Sequence, residues 1–346
     1  MSVQKENEKE NQNKSNLPLG VTMGCPVGIG PEIILKYFHS RTIQSPVVII
    51  GDIGVFKHVA DELGYESTLL PWQPGDPVQP GTLPIYSVSE LPIQELTWGR
   101  PTLKTSRAMV ACIEQAVQLI GQKHLSGMCT CPISKISLQQ IGSPYPGHTE
   151  MLAALTGIKK RFRMMMAGGR LKVVLVTIHE SIARVSGLLS REEILDCIEM
   201  TAKTLQRDFG LASPKIGVAG LNPHSGENGM FGHEEEELIA PAVAEYTGPA
   251  TVSGPWPPDT VFYRAVAGDF DAVVAMYHDQ GLIPFKLIHF HDGVNVTLGL
   301  PIVRTSVDHG TAYDIAGRGL AESTSLEAAI NMAFEIIANR TRGSIS

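Results

Sequence analysis

Short apolar runs alternate along this chain with longer segments that carry an apolar stripe. Leu17 to Met23, residues 46–52 (PVVIIGD), Gly127 to Cys131, residues 171–177 (LKVVLVT), 215–220 (KIGVAG) and 271–277 (DAVVAMY) read as buried strands. Val55–Leu63, Thr102–His124, Arg191–Phe209, Glu234–Glu245 and Leu326–Asn339 read as helices. In 102–124, Met109, Cys112, Ile113, Ala116, Val117 and Ile120 recur at helical spacing, a stripe suited to packing on a sheet. Pro31 opens a helix after the glycine-rich turn Gly24–Gly30, because its fixed φ suits the first helical position. Ser134 is placed to cap another helix. Residues 71–101, rich in Pro and Gly, leave room for an edge strand at Leu83–Val88. Strands alternating with helices of this length predict an α/β fold with largely parallel sheets. Ligands in such folds gather at the carboxyl ends of the strands.

Those strand ends hold the groups suited to chemistry. His179 in TIHES (177–181), His224 in NPHSGE (222–227) and His278 in YHDQ (277–280) each stand just past a buried strand. One such histidine reads as a hydrogen-bonded structural residue. Three on converging strand ends read as the ligands of a divalent metal with an open position. The stretch from Tyr277 to Gly319 is the densest in costly polar groups, woven between Val294, Val296, Leu298 and Leu300, and reads as an active-site wall of strand ends and loops. Within it Lys286, Asn295 and Arg304 suit a small dianion, with surface ion pairing as the alternative. In YPGHTE (145–150), His148 and Thr149 stand at a helix start that either holds a phosphate or carboxylate or is a plain capping turn.

Two other features read as ordinary structure. GCPVGIGPE (24–32) lacks the full dinucleotide spacing and offers only Asp52 as the acid at the next strand end, so close helix–strand packing explains it equally well. The acids Glu234–Glu237 read as a solvated helix start, and His233, His289 and His291 as surface or loop histidines.

Length and composition narrow the class. A chain of 346 residues exceeds what one core usually supports, so two domains are expected. With 43% hydrophobic and 18% charged residues it folds, and with a formal charge of -7 and no basic stripe it is not built for nucleic acid. Cys25, Cys112, Cys129, Cys131 and Cys197 are too few and oddly numbered for a disulfide framework, which points to reduced thiols in the cytoplasm. Residues 1–16 are charged and amide-rich, unlike a signal peptide, and read as a disordered extension. The longest apolar run, 171–178, is far short of the roughly 20 residues that span a bilayer.

Taken together, GIGPEI, YPGHTE, NPHSGENGMFGHEE, GPWPPDTVF, YHDQGLIPFK and GVNVTLGLPIVRTSVDHGTAYDIAGRG resemble the 4-hydroxythreonine-4-phosphate dehydrogenase family, over residues 19 to about 335. The closing HGTAYDIAGRG is also similar to the cofactor loop of isocitrate and isopropylmalate dehydrogenases. The resemblance implies a two-domain fold like theirs with the active site in an interdomain cleft. It divides the chain into a cofactor-side domain of 17–135 plus 305–346 and a substrate, metal and dimerisation domain of 136–304. It implies His179, His224 and His278 as ligands of Zn, Mg, Mn or Co, and His148, Thr149, Lys286, Asn295 and Arg304 as substrate contacts. His309, Gly310, Thr311, Ala312 and Asp314 would hold NAD or NADP, and Lys286 and Asp279 would serve catalysis. The expected reaction is NAD- and metal-dependent oxidation, with decarboxylation, of a 4-phosphorylated four-carbon 3-hydroxy acid: 4-hydroxythreonine 4-phosphate, or threonate or erythronate 4-phosphate. A homodimer would share each metal site across its interface. One departure stands out: Cys25 replaces the aspartate of the family's G-D-P turn. A non-catalytic metal- or ligand-binding relative, a dehydrogenase of aromatic cis-dihydrodiols, and a metal-dependent hydrolase or transferase are the competing readings.

Overall fold

A computed structural model of the chain describes residues 17–40, 45–158 and 161–343. The expected disordered extension, 1–16, lies outside the described residues. Strands β1 (Leu19–Thr22), β2 (Val47–Gly51), β3 (Leu69–Pro71), β4 (Leu83–Ser87) and β5 (Gly127–Thr130) come first. They are followed by β6 (Arg163–Ala167), β7 (Lys172–Leu175), β8 (Lys215–Ala219), β9 (Thr251–Trp256), β10 (Ala272–Ala275), β11 (Val294–Leu298) and β12 (Arg304–Val307). Contacts divide the chain into Met1–Lys160 with Leu300–Ser346, and Arg161–Gly299. The first boundary therefore falls 25 residues later than the family resemblance implied, at 160/161 instead of 135/136. The cause is packing: helices Lys135–Gln140 and His148–Leu155 both lie on helix Leu103–Gly121, which belongs to the first unit. The return falls at 299/300, so Arg304 on β12 belongs to the first unit, where β12 pairs with β5.

The first unit carries the strand order β3-β4-β2-β1-β5-β12, with every pairing parallel. The edge position belongs to the three-residue β3, so β4, expected at the edge, is paired on both sides. β1, β2 and β5 are buried on both faces, as strands covered on two sides by helices must be. Helix Leu103–Gly121 starts at Thr102, whose hydroxyl accepts from the Thr105 N–H while the Thr105 hydroxyl accepts from the Thr102 N–H. It turns Met109, Cys112, Ile113 and Ala116 into the core. Each such apolar side chain taken fully out of water stabilises the fold by about 1.5–3 kcal/mol where it is the size of Val, Leu, Ile or Met.

The glycine turn 24–30 is a packing device. A Cβ on Gly30 would come within 2.1 Å of the Met23 carbonyl, and one on Gly24 within 2.5 Å of that of Pro132. Asp52 is wholly committed to structure: one carboxylate oxygen accepts from Gly54 and Val55 N–H at a helix start, the other from Ser89 and Leu91. It has no oxygen left for a ribose diol.

The second unit carries β11-β6-β7-β10-β8-β9. β6, which the apolar pattern did not single out, runs antiparallel to both its neighbours; the other pairings are parallel. The β6–β7 turn is clamped by His289, which proves buried, not a surface residue. Its Nε2 accepts from the Arg170 N–H and its Nδ1 faces Asp292 at 3.0 Å, a pattern that sets the neutral tautomer. A Cβ on Gly168 would overlap its ring, so the close approach requires glycine there. Phe285, Val173, Leu175, Val273 and Ala275 form the centre of this unit's core. All five cysteines are free and buried, and burial pushes Cys112, Cys129 and Cys197 up to about 12, so these thiols are unreactive at neutral pH. Among the described residues, no helix is long and apolar enough to cross a membrane.

Candidate active site

In the second unit, β7, β10 and β8 are adjacent and parallel, so their carboxyl ends share one edge of the sheet. His179, His278 and His224 follow those three ends in that order across the sheet. Hydrogen bonds tie the three exits together. Thr177 donates to the Met276 carbonyl through its N–H at 3.2 Å and its hydroxyl at 2.8 Å. The buried Gln280 amide accepts from the Met276 N–H and donates to the Gly220 carbonyl, both at 2.7 Å. Gln280 thus joins the strand end that leads to His278 to the one that leads to His224.

His179 and His278 face each other with ring centroids 5.6 Å apart. A small hollow of about 290 Å³ opens between them and Glu180, Val185 and Tyr277. The Asp279 carboxylate lies 2.7 Å from His278 Nδ1, a contact that favours the tautomer with its lone pair on Nε2. His224 behaves differently. It stands 67% exposed, its ring 6.1 Å from that of Phe231, and among the described residues no three His, Cys, Asp or Glu side chains converge on one point. The three-histidine cluster expected from the strand ends is therefore a facing pair plus a separate third residue within one chain.

The backbone around His224 is unusual. His224, Ser225, Gly226, Glu227 and Asn228 have φ of 53°, 54°, 79°, 45° and 53°, a run of left-handed residues. For the non-glycine members that conformation costs about 1–2 kcal/mol each, so the surrounding structure must impose it.

His278 does not sit on a loop: it opens a helix, His278–Ile288, which includes Pro284. Lys286 lies in the last turn of that helix, its Nζ 5.7 Å from the Phe290 ring centre, and Asn295 sits on β11 opposite Met166. The stretch read as strand ends and loops is thus led by a helix.

In the first unit the anion-suited groups come together. Arg304 is 3% exposed and donates to the Thr130 hydroxyl from Nε at 3.2 Å and Nη2 at 2.8 Å. Burial pulls its guanidinium down to about 10, still charged at neutral pH. His148 opens helix His148–Leu155 after Gly147, which has no side chain to cap it, and Thr149 follows. Burial, and then the nearby Arg304 charge, hold the His148 imidazole well below its ordinary pKa, so it is neutral. Its Nε2 is covered and, among the described residues, has no hydrogen-bond partner.

The loop through His309, Gly310, Thr311, Ala312 and Asp314 is pinned from behind. The Thr311 carbonyl accepts from the Ile29 N–H, and the buried Glu32 carboxylate accepts from Gly317 at 3.2 Å and Ala321 at 2.8 Å. The Gly310 side faces open space, and Ala312 is left-handed at φ 42°. Tyr313 donates to the Cys25 sulfur at 3.3 Å.

Residues 42–333 match the family described as "Pyridoxal phosphate biosynthetic protein PdxA". The chain belongs to the PdxA family. It is 53% identical over 323 residues to the 4-hydroxythreonine-4-phosphate dehydrogenase of Desulfosudis oleivorans, spanning 92% of this chain and 95% of that one. It is 40% identical over 325 residues to an Oceanobacillus iheyensis protein provisionally named D-threonate 4-phosphate dehydrogenase, spanning 92% and 97%. A crystal structure of 4-hydroxythreonine-4-phosphate dehydrogenase from Klebsiella pneumoniae has the same fold, with a TM-score of 0.84, 39% identity and coverage of 93% and 98%. The PdxA-family chain described here is accordingly a dehydrogenase.

Four residues that matter to these sites escaped the linear pattern: Thr130, Gln280, Glu32 and Glu235. Thr130 and Gln280 reveal themselves only when strands are paired. Glu235, second in a run of acids, is buried at 2% exposure, so that run is not uniformly solvated.

Proposed function

We propose that this PdxA-family protein oxidises a 4-phosphorylated four-carbon 3-hydroxy acid with a nicotinamide cofactor, NAD, and a divalent metal, and that loss of carbon dioxide follows. The observation that carries the reading is the covered, partnerless Nε2 of a neutral His148 beside the buried Arg304 guanidinium. A covered ring nitrogen without a partner is costly unless a ligand atom meets it, and the planar donor fork of a buried arginine suits the paired oxygens of a phosphate or carboxylate. This favours a phosphorylated substrate over an aromatic dihydrodiol.

The donor set fits a divalent cation. Two imidazoles face each other, one favoured by Asp279 in the tautomer with its lone pair on Nε2. When bound, the cation supplies Lewis acidity at the substrate hydroxyl and the nicotinamide accepts hydride. His179, His278 and His224 would hold the cation, and the open-faced loop 309–314 would hold the cofactor. Arg304, His148 and Thr149 bind and orient the phosphate. Lys286 and Asn295 would meet the carboxylate end, where the Lys286 Nζ ammonium offsets negative charge. Asp279 keeps the His278 tautomer fixed.

A homodimer completes the reading. One chain presents a facing pair of histidines and a third apart from them, which suits a site finished by His224 of a second copy. An apolar groove of about 580 Å³, lined by Phe262, Tyr263, Ile283 and Leu287, lies on the helix that His278 opens. Tyr263, Ile283 and Leu287 are exposed there, an apolar patch that a second copy would cover.

The test is a side-by-side assay of 4-hydroxythreonine, threonate and erythronate 4-phosphates with NAD and NADP and with Zn, Mg, Mn or Co. Reduced-cofactor formation with one of the phosphates, lost on chelation and regained on adding metal, is expected. Full activity after metal stripping, or turnover of the unphosphorylated acids at equal efficiency, would overturn the reading.

A further inference from the structure

The left-handed run 224–228 needs something to hold it besides its short-range backbone hydrogen bonds, which include Met230 N–H to the Glu227 carbonyl at 3.3 Å and Phe231 N–H to that of Gly226 at 3.1 Å. The Ser225 N–H donates to the Asn222 carbonyl at 3.1 Å and the Glu227 N–H to that of His224 at 3.3 Å. We propose that Glu235 is the positioning residue that imposes this conformation and so aims His224 at the metal. The inference rests on the reading of His224 as a metal ligand.

The geometry is specific. One Glu235 oxygen accepts from the Leu221 and Asn222 N–H groups, both at 2.7 Å, and the other accepts from Asn222 Nδ2 at 3.0 Å. The chain is thereby fixed at the two residues just before Pro223 and His224. The same carboxylate lies against the loop further on. A Cβ on Gly226 would come within 2.8 Å of one oxygen, and a Cβ on Gly220 within 3.1 Å of the other. Glu235 therefore fills the side-chain space of two glycines, one on each side of His224. Only an acceptor suits this place, because all three partners donate. Glu234 adds a lateral stay, accepting from Asn222 Nδ2 at 2.8 Å and from the Ser186 hydroxyl at 2.7 Å. Glu235 is also the first residue of a π-helical turn, Glu235–Ile239, a local widening that recurs at functional sites.

A carboxylate that merely supported the fold would affect stability and nothing else. A positioning carboxylate also sets the metal affinity of protein that remains folded. The experiment compares wild type, Glu235→Gln, Glu235→Ala and His224→Ala as full chains, each with a measured melting curve. Zn²⁺ affinity comes from competition with a chelating dye, the visible spectrum from Co²⁺ substitution, and the phosphate affinity of the Arg304 pocket serves as the control. Glu235→Gln keeps the shape but turns a donor toward the Asn222 amide, so it carries the test if the alanine variant does not fold. The expected result is a loss of Zn²⁺ affinity of roughly ten- to a hundredfold in folded Glu235→Gln, an altered Co²⁺ spectrum, and unchanged phosphate binding. Wild-type Zn²⁺ affinity and Co²⁺ spectrum in folded Glu235→Gln, with both lost in His224→Ala, would overturn the positioning role alone. Wild-type Zn²⁺ affinity in His224→Ala would overturn the ligand reading and this inference with it.

Discussion

The Arg304–His148 pair and the histidine edge solve opposite problems. In the first unit, Arg304 is buried, its guanidinium braced by the Thr130 hydroxyl, and His148 is held neutral beside it. These groups come from one chain and the Arg304 guanidinium is buried, so its charge acts in a low-dielectric setting. In the second unit, the histidines stand at an open edge, only two of them face each other, and the third rides on a strained, exposed turn. A site built this way is set by positioning and by what comes to cover it. On the proposed reading, the contrast makes phosphate affinity and metal affinity separable.

The sharpest way to break that separation is His278→Ala. We expect metal-dependent reduced-cofactor formation to fall to background while phosphate binding, measured calorimetrically without metal, stays at the wild-type value. A parallel loss of phosphate binding would show the two sites to be one. Next is Arg304→Met, which removes a buried charged donor at a cost of about 1.5–3 kcal/mol, or roughly ten- to a hundred-and-fifty-fold in phosphate affinity. Zn²⁺ affinity should not move. Asp279→Asn tests orientation at the open edge: losing the carboxylate that fixes the His278 tautomer should weaken Zn²⁺ by about tenfold, visible in dye competition. No change would mean the contact at His278 Nδ1 is incidental.

The smallest effect concerns pH. His148 has a folded pKa depressed below its ordinary 6.5, so the unfolded chain takes up a proton that the folded one does not. Its contribution to stability is therefore complete above pH 6.5 and declines as pH falls below it. Urea midpoints measured downward from pH 7 should drop, and His148→Gln should drop less steeply. Bound phosphate should raise the His148 pKa, seen in its NMR titration, because an anion meets the ring where now only a cation does.

Much of this was legible in the chain. Alternating apolar runs and amphipathic helices identified the α/β architecture, and histidines just past three such runs marked the edge where they stand. Burial of polar groups was not legible. Glu235 looked like its solvated neighbours and His289 like a loop residue, because their partners, the 221–222 backbone and the Arg170 N–H with Asp292, are brought by tertiary pairing. The helix that His278 opens was hidden by Pro284, a residue that argues against helix in isolation and is tolerated here. The turn that carries His224 is left-handed, a conformation that no residue but Gly226 and Asn228 in that run favours by itself.

The proposed completion of the metal site by a second copy is tested most directly by mixing His224→Ala and His278→Ala proteins, each inactive alone, under conditions that exchange subunits. If His179 and His278 of one copy work with His224 of another, mixed dimers regain one intact site, about a quarter of all sites for random exchange of a two-fold dimer. Metal-dependent activity should return to about that fraction. No return of activity in a mixture shown by native mass spectrometry to contain mixed dimers would contradict the account.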